Sequence, residues 1–203
     1  AFKNGEDIHT ATAAHVFGTN LFGVSDDQRR RAKVVNFGIM YGAGPFRMSN
    51  ELEISRGEAA ELISDYFATY PGIRSYLDET IEFARENKYV QTLFGRKRPV
   101  PDIDASNRMS REGAERIATN MPIQGTAADI IKLAMIQVHK RIKVEGLKSK
   151  MILQVHDELV FEVPDDEIEA LTLLVRETME HAVDLDIPLT VDIGVGENWL
   201  EAH

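Results

Sequence analysis

The 203 residues are 43% hydrophobic and 28% charged, an ordinary globular balance with enough apolar material for a sizeable core. No apolar run approaches the roughly 20 residues of a membrane span, and nothing resembles a signal peptide. Cysteine is absent, which excludes disulfides and thiolate metal sites and suits a reducing cytoplasm, the expected location.

The net charge of -10 argues against a polyanionic partner only until it is mapped. Residues 164–203 hold 11 acidic and 1 basic residue, so residues 1–163 hold 22 of each sign. Within that neutral stretch the cations cluster, at Arg29-Arg30-Arg31 with Lys33, at Arg96-Lys97-Arg98 and from Arg108 to Arg116. Local clusters, not the total, set the field that a phosphate meets.

In chain order, Ser25-Asp-Asp-Gln28 is a capping box that opens a helix to about Tyr41, with Gly42 and Gly44 ending it. Gly38 inside that helix costs roughly 1 kcal/mol relative to Ala and implies a close approach to its backbone. Ser55-Arg-Gly-Glu58 opens a second helix that ends near Tyr70, and a third runs from about Ile73 to Asn87. Residues 89–101, YVQTLFGRKRPVP, read as a short hairpin with Gly95 at its turn. A further helix starts after Ser110, is kinked or restarted at Pro122, and continues to about Val144 on an apolar stripe of Ile130, Leu133, Ala134, Ile136 and Val138. Then come two strands, MILQV and LVFEV, joined by His156-Asp157-Glu158, an acidic helix from Asp165 to about Val183, and a last strand, IPLTVDIGV. Helices first and strands later predict an α+β fold.

Two patterns carry chemistry. Arg29, Lys33, Phe37 and Tyr41 stand at strict four-residue spacing, so on a helix they drift by only about 40° per step and share a face. Two cations followed by two aromatics match a nucleoside triphosphate, charged at one end and flat at the other. Arg binds phosphate oxygens bidentately, Lys supplies a point charge, and each aromatic stack is worth roughly 1–3 kcal/mol. The alternative is a helix with core aromatics and solvated cations, in which the aromatics would leave the cationic line. The second pattern is the turn: His-Asp-Glu is poor hairpin chemistry, whereas carboxylates at a rigid tip suit Mg²⁺. Arg116, Asn120 and Gln124 are also four apart, and by themselves could be a plain polar helix face.

RRRAKVVNFGIMYG (29–42), with Arg-x3-Lys and a Tyr-Gly end, resembles the nucleotide-binding fingers helix of family A DNA polymerases. QVHDELVFE (154–162) is similar to that family's metal-binding palm hairpin, and NMPIQGTAADIIK (120–132) and GENWLEAH (196–203) match bacterial members. The resemblance covers essentially the whole chain and implies a mostly helical fingers subdomain plus a partial palm with a small antiparallel sheet. It places a fingers-like region at 1–108, with its nucleotide-binding helix at 26–41, and a palm-like region at 109–203, with its catalytic hairpin at 151–163.

The resemblance also implies roles. Asp157 would ligate a catalytic metal, Glu158 would stand near the metals, and His156 would touch the primer end. Arg29, Lys33 and His9 would hold the triphosphate, Phe37 its sugar, and Tyr41 the templating base. Arg116, Asn120 and Gln124 would face the DNA minor groove, whose acceptors sit alike in every correct pair. The implied reaction is two-metal, Mg²⁺-dependent addition of a deoxynucleoside triphosphate (dNTP) to a primer on template DNA, in replication and repair.

The family's second metal-binding Asp lies upstream of the fingers, as does the thumb, and neither is found in this chain. Asp129 and Asp192 stand in contexts that do not replace that Asp. The expectation is therefore a C-terminal part of a polymerase, partnered by its N-terminal part, inactive alone, and self-associating through an open sheet edge. Two rivals remain: a nucleotide- or DNA-binding module without catalysis, and a metal-dependent phosphohydrolase built on His9, His15, His156 and Asp157.

Overall fold

A computed structural model describes residues 2–202; Ala1 and His203, the last residue of the GENWLEAH match, lie outside the described residues. The chain forms two compact units, Ala1–Gly125 and Thr126–His203.

The first unit opens with α1 (Ile8–Val16), capped by Asp7, whose carboxylate accepts from the backbone N–H of His9 and Thr10. Helix α2 (Asp26–Met40) starts on the expected capping box: Ser25 Oγ accepts from Gln28 N–H, and Gln28 Oε1 accepts from Ser25 N–H. Its buried residues are Ala32, Val35, Asn36, Gly38 and Ile39, of which Val35 and Ile39 cluster with Met48 and Leu52 of α3 (Pro45–Leu52) and Ala59 and Tyr66 of α4 (Arg56–Thr69). Burial of Val35 or Met48, both fully enclosed, contributes roughly 1.5–3 kcal/mol each. Gly38 is explained here: a Cβ on it would stand 2.8 Å from Met48 Cε, so α3 is what approaches the backbone. The second box also forms, Ser55 with Glu58.

Helix α5 (Pro71–Asn87) leads into the antiparallel pair β1 (Tyr89–Gln91) and β2 (Lys97–Pro99), with Gly95 at φ +81° in the turn. A second core, of Ala84, Val90, Val100, Ile103, Ala114, Ala118 and Met121, holds this pair against α6 (Arg108–Val144). Two expectations change. The helix begins at Arg108, not after Ser110, and it is not restarted at Pro122, which lies inside it. Proline removes one N–H from the ladder and crowds the carbonyl four residues earlier; the buried Met121 beside it anchors the helix to the second core.

The second unit contains the rest of α6, the antiparallel pair β3 (Lys150–Val155) and β4 (Glu158–Glu162), and α7 (Ile168–Glu180). Its core is Val138, Ile142, Leu171, Leu174 and Val175, with Phe161 packed against it. Arg141 ties α6 to α7 by donating to Glu177 and to Thr178 Oγ1.

The sequence IPLTVDIGV is not a strand. Its backbone bonds to side chains of α7: Val191 N–H donates to Glu180 Oε1, and Val191 C=O accepts from Arg176. The acidic helix is also shorter than expected, a 3₁₀ turn at Asp165–Glu167 followed by α7 ending at Glu180. A short α8 (Trp199–Ala202) closes the described chain.

Candidate functional site

The stripe lies on the exposed side of α2. Lys33 is exposed and makes no ion pair among the described residues. Phe37 and Tyr41 are 45% and 38% exposed, so these rings are not core residues. They stack with centroids 6.2 Å apart and planes inclined by 16°, and the His9 ring extends the row at 5.7 Å from Phe37. The result is an aromatic shelf with cations at one end, as the spacing requires.

Arg29 is less available than Lys33. Its guanidinium donates to Asp7 Oδ2 at 2.6 Å, so the N-cap of α1 holds it. Partial burial pushes the Asp7 carboxyl up, but the Arg29 hydrogen bond and the two backbone N–H donors outweigh this and leave it below the usual carboxylate range. His9 is shifted down, first by burial and then by the positive charges of Arg29 and Lys33, against the opposing pull of Asp7. It therefore favours its neutral ring.

Behind His9 runs a buried polar chain that reasoning from sequence missed. Asn36 Nδ2 stands 3.0 Å from His9 Nδ1, Thr12 Oγ1 donates to Asn36 Oδ1 at 3.1 Å, and Tyr70 OH lies 3.3 Å from Thr12 Oγ1. Thr12 is fully buried and Asn36 nearly so. An Asn on the core-facing side of a helix was the available signal, because buried amides require partners.

Arg116 joins the end of the stripe. Gly42, at φ +73°, is crossed by the Arg116 side chain, whose Cγ would lie 3.1 Å from any Cβ there. Arg116 and Gln124 are exposed, while Asn120 is half-buried with its Oδ1 enclosed and lacking a hydrogen-bond partner. The adjoining Gly125 is held by the β1–β2 hairpin: Arg96 Nη2 donates to Gly125 C=O at 2.9 Å.

In the second unit, Val155 pairs directly with Glu158, so the turn is His156-Asp157 alone and Glu158 is the first residue of β4, not a turn residue. His156 has φ +53°, a positive value that favours Gly, and Asp157 does not share it. A β-bulge near Ile152 adds twist to β3, and Gln154 Nε2 donates to His156 C=O within the turn. His156 and Asp157 are exposed and Glu158 is half-buried. Among the described residues no three metal-ligating side chains gather, so the hairpin offers Asp157 and Glu158 and no third ligand.

Compared with known proteins, residues 1–201 match the family model described as DNA polymerase family A. The chain belongs to DNA polymerase family A. Among family A relatives, DNA polymerase I of Caldicellulosiruptor bescii is 52% identical over 99% of this chain and 24% of its own length. DNA polymerase I of Deinococcus radiodurans is 51% identical over 99% of this chain and 21% of its own. The chain thus spans about a quarter of the length of the curated relatives it matches. A solved structure, the POL domain of Pol1 from M. smegmatis in complex with DNA primer-template and dNTP, superposes with a TM-score of 0.96. It is 46% identical and covers 100% of this chain and 36% of its own. The α+β architecture of helices with two small antiparallel sheets is that of this family A neighbour. No helix among the described residues is long and apolar enough to cross a membrane.

Proposed function

We propose that this chain is the nucleotide-binding and partial metal-binding portion of a DNA-directed DNA polymerase acting in replication and repair. The observation that carries this reading is an exposed Lys33 that makes no ion pair among the described residues, set between Arg29 and a stacked Phe37–Tyr41 shelf. Lys33 neutralises the triphosphate of a dNTP, Arg29 joins it after exchanging Asp7 for phosphate, and His9 donates a neutral hydrogen bond. Phe37 packs on the sugar and Tyr41 on the templating pair. Arg116, Asn120 and Gln124 bind primer-template DNA. The fingers-like part is 1–108 and the palm-like part 109–203.

Asp157 and Glu158 are hard oxygen donors on a short hairpin and fit Mg²⁺ as part of a ligand set. Bound Mg²⁺ would acidify the primer 3′-hydroxyl and neutralise the pyrophosphate leaving group. His156 contacts the primer end. Two-metal transfer needs further carboxylates, supplied by the remainder of the polymerase, and the 203 residues alone are not expected to extend a primer. Among the described residues the outer edges of β3 and β4 have no strand partner, which favours self-association of the isolated chain. A single 22.8 kDa species in light scattering at high concentration would remove that expectation.

The test compares dNTP binding by wild type and Lys33→Ala with primer extension in Mg²⁺. Binding lost in the variant supports the reading; equal binding in both refutes the phosphate role. Phosphate release from the nucleotide without extension would favour the hydrolase.

A further inference from the structure

We propose that Asn36 is a positioning residue, the last link of a one-way chain of hydrogen bonds, Tyr70 to Thr12 to Asn36 to His9, that fixes His9 as the Nε2–H tautomer. The direction follows from counting protons. Thr12 has one hydroxyl proton and donates it to Asn36 Oδ1. In the contact with Tyr70, Thr12 must then accept, so the phenol donates. With its carbonyl taken, Asn36 turns its amide N–H₂ toward His9 Nδ1. An amide donates and does not accept, so Nδ1 must carry a lone pair, and a neutral ring then holds its proton on Nε2.

The links come from separate elements. Thr12 and His9 are on α1, Asn36 is on α2, and Tyr70 stands at the junction of α4 and α5. Three helices thus agree on one proton position. The charged groups facing His9 are Asp7 on its own side and Arg29 and Lys33 across from it, and the two cations oppose a second ring proton. The chain therefore gives the cationic end of the stripe an uncharged donor whose orientation is fixed before any ligand arrives. As a donor to triphosphate, His9 rests on the function proposed above; its tautomer does not.

The experiment uses the 203-residue chain with ¹⁵N-labelled histidine and two-bond ¹H–¹⁵N correlation, with the His9 signal assigned from His9→Gln. Wild type should show His9 as a single Nε2–H tautomer. Asn36→Asp offers Nδ1 a carboxylate acceptor, so the tautomer should invert to Nδ1–H and the titration midpoint should rise. Thr12→Val leaves the packing nearly intact but lets the Asn36 amide rotate, and should yield a mixture of tautomers. Nδ1–H or an averaged ring in wild type, or an unchanged tautomer in both variants, overturns the proposal. Added inorganic tripolyphosphate should then shift the wild-type Nε2 signal. An Nε2–H tautomer that ignores tripolyphosphate leaves the relay standing and removes the phosphate reading of the stripe.

Discussion

The stripe on α2 and the β3–β4 turn use opposite strategies to present charge. On the stripe, Arg29 is tied to Asp7, Phe37 and Tyr41 stack on each other and a buried polar chain backs His9, while Lys33 makes no ion pair among the described residues. At the turn, the candidate residues have no such support: His156 occupies a left-handed position and Asp157 is exposed. Binding a polyanion rewards preorganisation, because ordered side chains lose less entropy on contact. Carboxylates awaiting a cation gain their order from the ion and its other ligands.

The largest expected effect separates the two regions by ligand. A charge-assisted hydrogen bond is worth about 1.5–3 kcal/mol, so Lys33→Ala should weaken triphosphate binding by roughly 10- to 100-fold. An exposed side chain without an ion pair contributes little to folding, and the urea midpoint should hold within about 0.5 kcal/mol. Mn²⁺ broadening of the Asp157 region should be unchanged in this variant and lost in Asp157→Asn. Loss of both signals in Lys33→Ala would mean that the variant disturbs the fold and that the regions are not independent.

Next in size is Gly125→Ala. Its Cβ would meet Thr92 Cγ2 at 2.7 Å, Met121 Cε at 3.2 Å and Arg96 Nη2 at 3.3 Å. Thr92 is buried and β-branched, so it cannot swing away. Overpacking of this kind costs about 1–3 kcal/mol and should lower the urea midpoint. Gln124 is the neighbouring residue and Asn120 lies five residues earlier on α6, so DNA affinity should fall as well. A stable Gly125→Ala with normal DNA binding would show that the β1–β2 hairpin does not support that helix face.

Much of this was legible in the sequence because helices repeat their rules locally. Ser25 with Gln28, and Ser55 with Glu58, announced their helices, and four-residue spacing placed Arg29, Lys33, Phe37 and Tyr41 on one face. The Arg29–Asp7 pair and the Asn36–Thr12–Tyr70 chain join residues 22 to 58 positions apart, and no local pattern encodes such contacts. IPLTVDIGV misled for a related reason, since alternation reports a half-buried extended segment whether its partner is a strand or the side chains of α7.

Asp7 offers a smaller and pH-dependent test of how the stripe is held. Asp7→Ala removes an N-cap and should cost about 1 kcal/mol at pH 7. The folded carboxyl lies below its unfolded value, so its stabilisation is complete above the unfolded value of 3.8 and fades as pH falls through the folded one. The gap between wild type and variant should therefore close below about pH 4. The variant also releases Arg29, so tripolyphosphate should bind a few-fold more tightly at neutral pH. An unchanged affinity would mean that Asp7 does not compete with the ligand for that guanidinium.

The smallest effect tests the turn. A side chain in the left-handed region costs about 1 kcal/mol, and His156→Gly relieves it while adding roughly 0.5–1 kcal/mol of unfolded-chain entropy. The two nearly cancel, so the urea midpoint should move by less than about 0.5 kcal/mol in either direction. Near-neutral stability with weakened DNA binding would place the imidazole's value in its contacts with the ligand, because the hairpin folds equally well without it. A loss above about 1 kcal/mol would mean that the ring itself holds the turn, and local packing would then explain why histidine stands where glycine is usual.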